Sequence, residues 1–254
     1  MTADTAIPTP PRPTEPVPSN SRAVTTDLRL IALRETALVA ALGWGLHALL
    51  RSLGAPVALG GTATIFTLAT CTWLLRRRGE RWRDLGLHRP IPWRRTILWT
   101  IGLFAAQMLL PALLVRPLAD SLGFGPPRFD AFADLRGNLG VYLLLLIPVG
   151  WGAAAFGEEL IYRGFIFGRL AQALGGSQLA QACALVLQAS LFALGHSYLG
   201  PRGMLNAALV GLLSGGAYMA NGRMLWPLIF AHAAVDTLGL TALYLGVDHT
   251  QAVP

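Results

Sequence analysis

The chain has 254 residues, of which 54% are hydrophobic and only 13% are charged. Soluble domains carry about a quarter charged residues, so this composition argues against a soluble enzyme and indicates a protein that spans a lipid bilayer. The formal net charge is +7 and every basic residue is Arg. These Arg residues are scattered at the ends of apolar segments and form no basic face, so we expect no nucleic-acid partner.

Residues 1–26 are rich in Pro, Thr and Ser and contain no long apolar run. Such a segment buries too little apolar surface to order itself, which predicts a disordered cytoplasmic tail. The remainder, 27–254, is predicted to be a transmembrane domain.

Apolar runs of about the length of a membrane span fill this domain. They cover about 30–50, 57–75, 96–115, 138–173, 178–199, 204–221 and 224–246. We therefore expect an all-α fold, a polytopic transmembrane helical bundle of about seven to eight membrane helices. The run 138–173 is too long for one straight span at about 1.5 Å per residue, which predicts a break near Pro148, Gly150 or Gly152.

The most basic loop lies at 76–83 and contains five Arg residues. The positive-inside rule places such a loop in the cytoplasm, and the N-terminus, two spans earlier, on the same side. The loop 117–137 has nearly balanced charges and fits the outer side. The Arg-rich, Lys-free composition suggests a bacterial plasma membrane.

Three groups of ionisable residues interrupt the apolar runs of the second half. Ionisable groups cost about 2.5–3.5 kcal/mol each inside a membrane span and usually pair or take part in chemistry. Glu159 and Arg163 are four residues apart and can pair on one helix face, as a structural ion pair would. Glu158 points about 100° away from Glu159, which leaves it a free carboxylate suited to general acid or base catalysis.

The other two groups contain His. His196 ends an apolar helix, where a lone His is often a satisfied core residue. His232 and Asp236 are one turn apart in the last run, and a hydrogen-bonded packing pair explains them equally well. A chain reversal near Ser177 would bring Glu158 and His196 to a similar depth, and a third helix would add His232 and Asp236. Such a cluster has the outline of a hydrolytic site.

In order along the apolar helices, the sequence contains Glu-Glu-x-x-x-Arg at 158–163, Phe-x-x-x-His at 192–196 and His-x-x-x-Asp at 232–236. This ordered set resembles the CPBP family of CAAX proteases and bacteriocin-processing enzymes, also called Abi proteins. The resemblance spans about 138–246 and implies that this region is the catalytic core of an intramembrane endopeptidase. Its partners would be the lipid bilayer and a peptide or membrane-protein substrate, either membrane-associated or prenylated.

The resemblance also implies roles for individual residues. Glu158 and His196 would activate the attacking water, and His232 and Asp236 would hold the oxyanion or complete the site. Glu159, Arg163 and Phe192 would support them, with Arg163 orienting the glutamates.

Both a metal-free mechanism and a metalloprotease mechanism are open for such a site. CAAX-processing members have Asn where this chain has Asp236, and an ionised Asp cannot donate a hydrogen bond to an oxyanion. This difference favours a metal, in which case Glu158, His196 and His232 would ligate Zn²⁺. The HExxH pattern of soluble zinc proteases is not found in the sequence.

Two other classes of function fit the same residues. In a non-catalytic membrane scaffold or bacteriocin-immunity protein, these residues would be the remains of an active site that no longer catalyses a reaction. A transporter would line an ion or substrate pathway with them, but we find no internal repeat to support it.

Overall fold

The computed structural model describes residues 19–88 and 92–247. Most of the predicted tail, residues 1–18, lies outside this part of the chain. The first helix begins at Ser19, before residue 27, where we expected the membrane domain to start. The described residues form helices, turns and loops without any strand, which confirms the all-α prediction.

Seven long helices follow one another in the described chain. They are α1 (Ser19–Ser52), α2 (Val57–Arg77), α3 (Trp93–Ser121), α4 (Leu139–Ala173), α5 (Gln178–Gly195), α6 (Ser197–Ala220) and α7 (Trp226–Leu245). Short 3₁₀ turns at Trp82–Leu85 and Asp130–Leu135 lie in the two longest connections. In the described chain six helices, α2 to α7, are long and apolar enough to cross a membrane, fewer than the seven or eight we expected.

Helix α4 is continuous, so the predicted break near Pro148 is wrong. From Leu145 to Ile166 the helix is wound with the wider turns of a π-helix. A Pro inside a helix removes one backbone donor. The wider hydrogen-bonding pattern lets the chain continue past Pro148 without separating into two helices. Glu158, Glu159 and Arg163 all lie on this widened stretch.

Helix α4 forms the centre of the bundle and packs against α2 and α7, while its last two turns pack against α1 and α5. The core around it contains fully buried Leu160, Phe165 and Leu228. Helices α5 and α6 approach each other closely. A Cβ atom added to Gly211 would lie 2.9 Å from the Cβ of Ala189, so a glycine is needed at this crossing.

An ion-pair network fixes the end of the bundle that carries the basic loop. Glu35 of α1 binds both Arg78, at 2.8 Å, and Arg169 of α4, at 2.8 Å. Arg169 also binds Glu80 at 2.6 Å. These charges are largely removed from water and pair with one another, so the network holds the end of α4 against α1 and the loop after α2.

Candidate active site

A cavity with two lobes opens between α1, α2, α4 and α7 at the end of the bundle opposite the basic loop. The larger lobe has a volume of about 360 Å³, and its lining includes all four predicted catalytic residues, Glu158, His196, His232 and Asp236. The smaller lobe, of about 320 Å³, runs along α1 and also contacts Glu158 and His196. These two residues therefore lie where the lobes join.

The turn between α4 and α5 brings Glu158 and His196 together. Gly175 and Gly176 adopt φ values of +96° and +74°, which a residue with a side chain rarely adopts. The two helices leave this turn antiparallel, so residues at similar distances from it reach similar depths. The structure thus agrees with the reversal expected from the sequence, although α4 needs no break to achieve it.

Glu158 is half-buried and projects into the cavity. Its Oε2 is buried and has no hydrogen-bond partner among the described residues. Leaving a buried carboxylate oxygen without a hydrogen-bond partner costs free energy of folding. Such an oxygen is therefore expected to bond to a water molecule or to a group of the substrate. Glu158 lines both lobes, so its carboxylate is available to a water molecule that enters the cavity.

The neighbouring Glu159 has a different environment. It is fully buried and its Oε1 accepts two hydrogen bonds, from Arg163 Nη1 at 3.1 Å and from His232 Nδ1 at 3.0 Å. The predicted pair of Glu159 and Arg163 is therefore present, but it also reaches α7. Arg163 binds Glu159 rather than Glu158. Because the same Glu159 oxygen binds His232, Arg163 helps to fix the orientation of the His232 ring.

Phe192 lies between two functional groups. The Arg163 guanidinium carbon is 4.5 Å from the centre of the Phe192 ring, and the centre of the His196 ring is 4.4 Å from it. His196 Nδ1 is 2.9 Å from the Phe192 carbonyl oxygen. Since a carbonyl only accepts, Nδ1 donates this bond, and Nε2 of the neutral ring keeps its lone pair. Phe192 thus sets both the position and the tautomer of His196.

His232 and Asp236 face each other within α7. His232 Nε2 lies 3.7 Å from Asp236 Oδ1, a separation suited to an ion pair but too long for a hydrogen bond. The side chains are only 11% and 23% exposed, so each has little water to stabilise its charge. Asp236 and Glu159 lie on opposite sides of the imidazole, so each of its nitrogens faces a carboxylate.

The described residues contain no group of three His, Cys, Asp or Glu side chains that is arranged to hold a metal ion. Structural and catalytic zinc sites take at least three protein ligands. Nδ1 of His232 bonds to Glu159 and Nδ1 of His196 to the backbone, which leaves Nε2 of each ring as the nitrogen that could ligate a metal. Glu158, His196 and His232, the predicted Zn²⁺ ligands, are not gathered into such a group in the described structure, and we derive no step through a metal.

Three residues of the cavity were missed by the sequence analysis. His47 and Arg51 of α1 and Tyr198 at the start of α6 line both lobes. His47 and Arg51 are four residues apart, the same spacing that drew attention to His232 and Asp236. That spacing at the end of the run 30–50 was the signal that could have found them.

These features define a polytopic all-helical membrane protein with carboxylates and imidazoles gathered around an internal cavity. Residues 140–238 match the model of the family described as type II CAAX prenyl endopeptidase Rce1-like. This match confirms the resemblance inferred from the three motifs, and it includes all four predicted catalytic residues. No curated protein and no solved structure matches the chain.

Proposed function

We propose that the protein is an intramembrane endopeptidase of the CAAX type, in which Glu158 activates the water that attacks a peptide bond. The observation that carries this proposal is the position of Glu158 at the junction of the two lobes, which His196 also lines. The family match over the same region supports it.

In the proposed reaction, Glu158 takes a proton from water, and the resulting hydroxide adds to the carbonyl carbon of the scissile peptide bond. His196 Nε2 accepts a hydrogen bond from the same water and orients it. The tetrahedral intermediate then expels the amine, which receives the proton from Glu158. One water is consumed, and the products are a carboxylic acid and an amine.

His232 would stabilise the negative oxygen of the tetrahedral intermediate. Its Nδ1 is held by Glu159, so the ring has a fixed orientation. In the imidazolium form its Nε2 donates a hydrogen bond, which the carboxylate of Asp236 cannot do. Asp236 would instead keep the imidazole charged. A donor fixed before the reaction needs little reorganisation as charge develops on the substrate.

The cavity favours an apolar peptide. Its larger lobe is lined by aliphatic and small residues of three helices, among them Val57, Val149 and Leu240. We therefore propose a peptide or membrane-protein substrate that reaches the site from the bilayer, including a lipid-modified one.

The substitution Glu158→Gln tests the proposal. It keeps the size of the side chain and removes its basicity, so cleavage of apolar peptides by protein reconstituted in vesicles should fall by about 10²-fold or more. Asp134→Asn is the matched control, because Asp134 is exposed on the loop before α4 and lies outside the cavity lining. A Glu158→Gln protein that cleaves as fast as the control would exclude Glu158 as the base.

A further inference from the structure

The last turns of α1 present two basic side chains to the proposed catalytic cavity. Arg51 and His47 line both lobes, together with Glu158. Both lie outside residues 140–238, the region that matches the family model. The face of α1 that they share is therefore a feature of this chain beyond the matched core.

Arg51 is exposed and lines the cavity, and among the described residues no carboxylate oxygen lies within 4.0 Å of its guanidinium. Other Arg residues that approach the interior, such as Arg163 and Arg169, are paired with glutamates. A guanidinium has five donors in a fixed fork that matches a carboxylate. Arg51 is thus a cation that no carboxylate in the described part of the chain pairs with.

The Tyr198 ring lies between Arg51 and the proposed catalytic residue His196. Its guanidinium carbon lies 6.0 Å from the centre of the Tyr198 ring, and that ring stacks on His196 with a centre-to-centre distance of 6.0 Å. An extended peptide advances about 3.3–3.6 Å per residue. A group bound by Arg51 would therefore lie within roughly three or four residues of a bond held beside His196.

His47 lies one turn before Arg51 on the same face. Its Nδ1 is 2.9 Å from the carbonyl oxygen of Gly43, so Nδ1 donates and fixes the ring. The remaining nitrogen, Nε2, is free for a ligand and becomes a second donor when the ring is protonated.

We propose that Arg51, assisted by His47, binds a carboxylate of the peptide substrate and so positions the scissile bond at Glu158. This inference rests on the proposed endopeptidase function. The carboxylate has two sources, the free C-terminus of the peptide or an Asp or Glu side chain, and the same guanidinium fork accepts either.

Four synthetic peptides of one apolar sequence test the proposal. They end in a free acid or an amide and carry Glu or Gln at one position near the C-terminus. We expect the protein that retains Arg51 to bind at least one carboxylate peptide about tenfold more tightly than the neutral one that matches it. Binding is measured in the Glu158→Gln background by fluorescence anisotropy, so it does not depend on turnover.

The variants Arg51→Gln and Arg51→Lys test whether the preference for a carboxylate depends on the positive charge at position 51 and not on a folding defect. In Arg51→Gln the tenfold preference should fall towards one, and Arg51→Lys should restore part of it. Arg116→Gln is the control, because Arg116 is an exposed Arg of α3 that does not line the cavity. It should retain the full preference.

The outcomes distinguish the two proposals. If the free-acid peptide binds more tightly than the amide, the C-terminal carboxylate is the ligand of Arg51. If the Glu peptide binds more tightly than the Gln peptide, a side-chain carboxylate is the ligand. Equal affinity for all four peptides, or a preference that survives Arg51→Gln, would overturn the carboxylate site. Failure of the wild-type protein to cleave any peptide that it binds would instead count against the endopeptidase function.

Discussion

His232 Nδ1 lies 3.0 Å from Glu159 Oε1, which joins the last helix of the bundle to the central one. The same oxygen binds Arg163 at 3.1 Å. The adjacent glutamates therefore divide their tasks: Oε1 of Glu159 holds an imidazole and a guanidinium in place, whereas Glu158 lines the cavity. This division follows because successive residues of a helix point in different directions, so Glu158 and Glu159 meet different neighbours.

Replacing Glu159 should damage folding more than replacing Glu158. Glu159→Gln leaves the fully buried Arg163 without a counter-charge, and breaking a buried pair costs about 3–5 kcal/mol. Glu158→Gln removes no hydrogen bond to another described residue. Thermal unfolding in detergent should show a clear decrease in Tm for Glu159→Gln and little change for Glu158→Gln. Equal Tm values for the two variants would contradict the division of tasks.

Replacing His196 should slow the chemical step more than it weakens substrate binding. His196→Ala removes the nitrogen that we expect to orient the water, so kcat should fall by about 10²-fold or more. The KM should change little, because the lobes that hold the peptide remain. Steady-state kinetics on a cleaved peptide would measure both, and a change confined to KM would make His196 a binding residue instead.

The crossing of α5 and α6 should not tolerate a larger residue. In Gly211→Val the new side chain meets Ala189, whose Cβ would lie 2.9 Å from the first added carbon. Such overpacking costs about 1–3 kcal/mol. Gly216→Ala on the same helix is the control, because a Cβ there meets nothing within 4 Å. In chemical unfolding, Gly211→Val should have a lower free energy of unfolding than Gly216→Ala. Equal free energies of unfolding would show that the helices are not in close contact.

Zinc should not be required for cleavage. The described residues provide no group of three ligating side chains, so activity should persist after treatment with a strong chelator. Metal analysis of the purified protein should give no stoichiometric zinc, and the values should be the same for wild type and His232→Ala. One zinc per chain in the wild type, lost in His232→Ala together with activity, would reverse this conclusion.

The apolar composition and the run lengths by themselves determined the all-helical membrane fold, because a bilayer admits only segments that satisfy their own backbone hydrogen bonds. The spacing of Glu158, Glu159 and Arg163 likewise determined which carboxylate pairs and which one stays free of Arg163. These properties depend on neighbours a few residues apart, so the sequence contains the information needed to predict them.

The tertiary structure alone decided how α4 passes Pro148, because the pitch of a helix depends on what packs around it. It also decided that Glu159 binds His232, 73 residues away, and that α1 supplies His47 and Arg51 to the cavity. Contacts between distant segments depend on helix rotation and depth, and a one-dimensional pattern of apolar runs specifies neither.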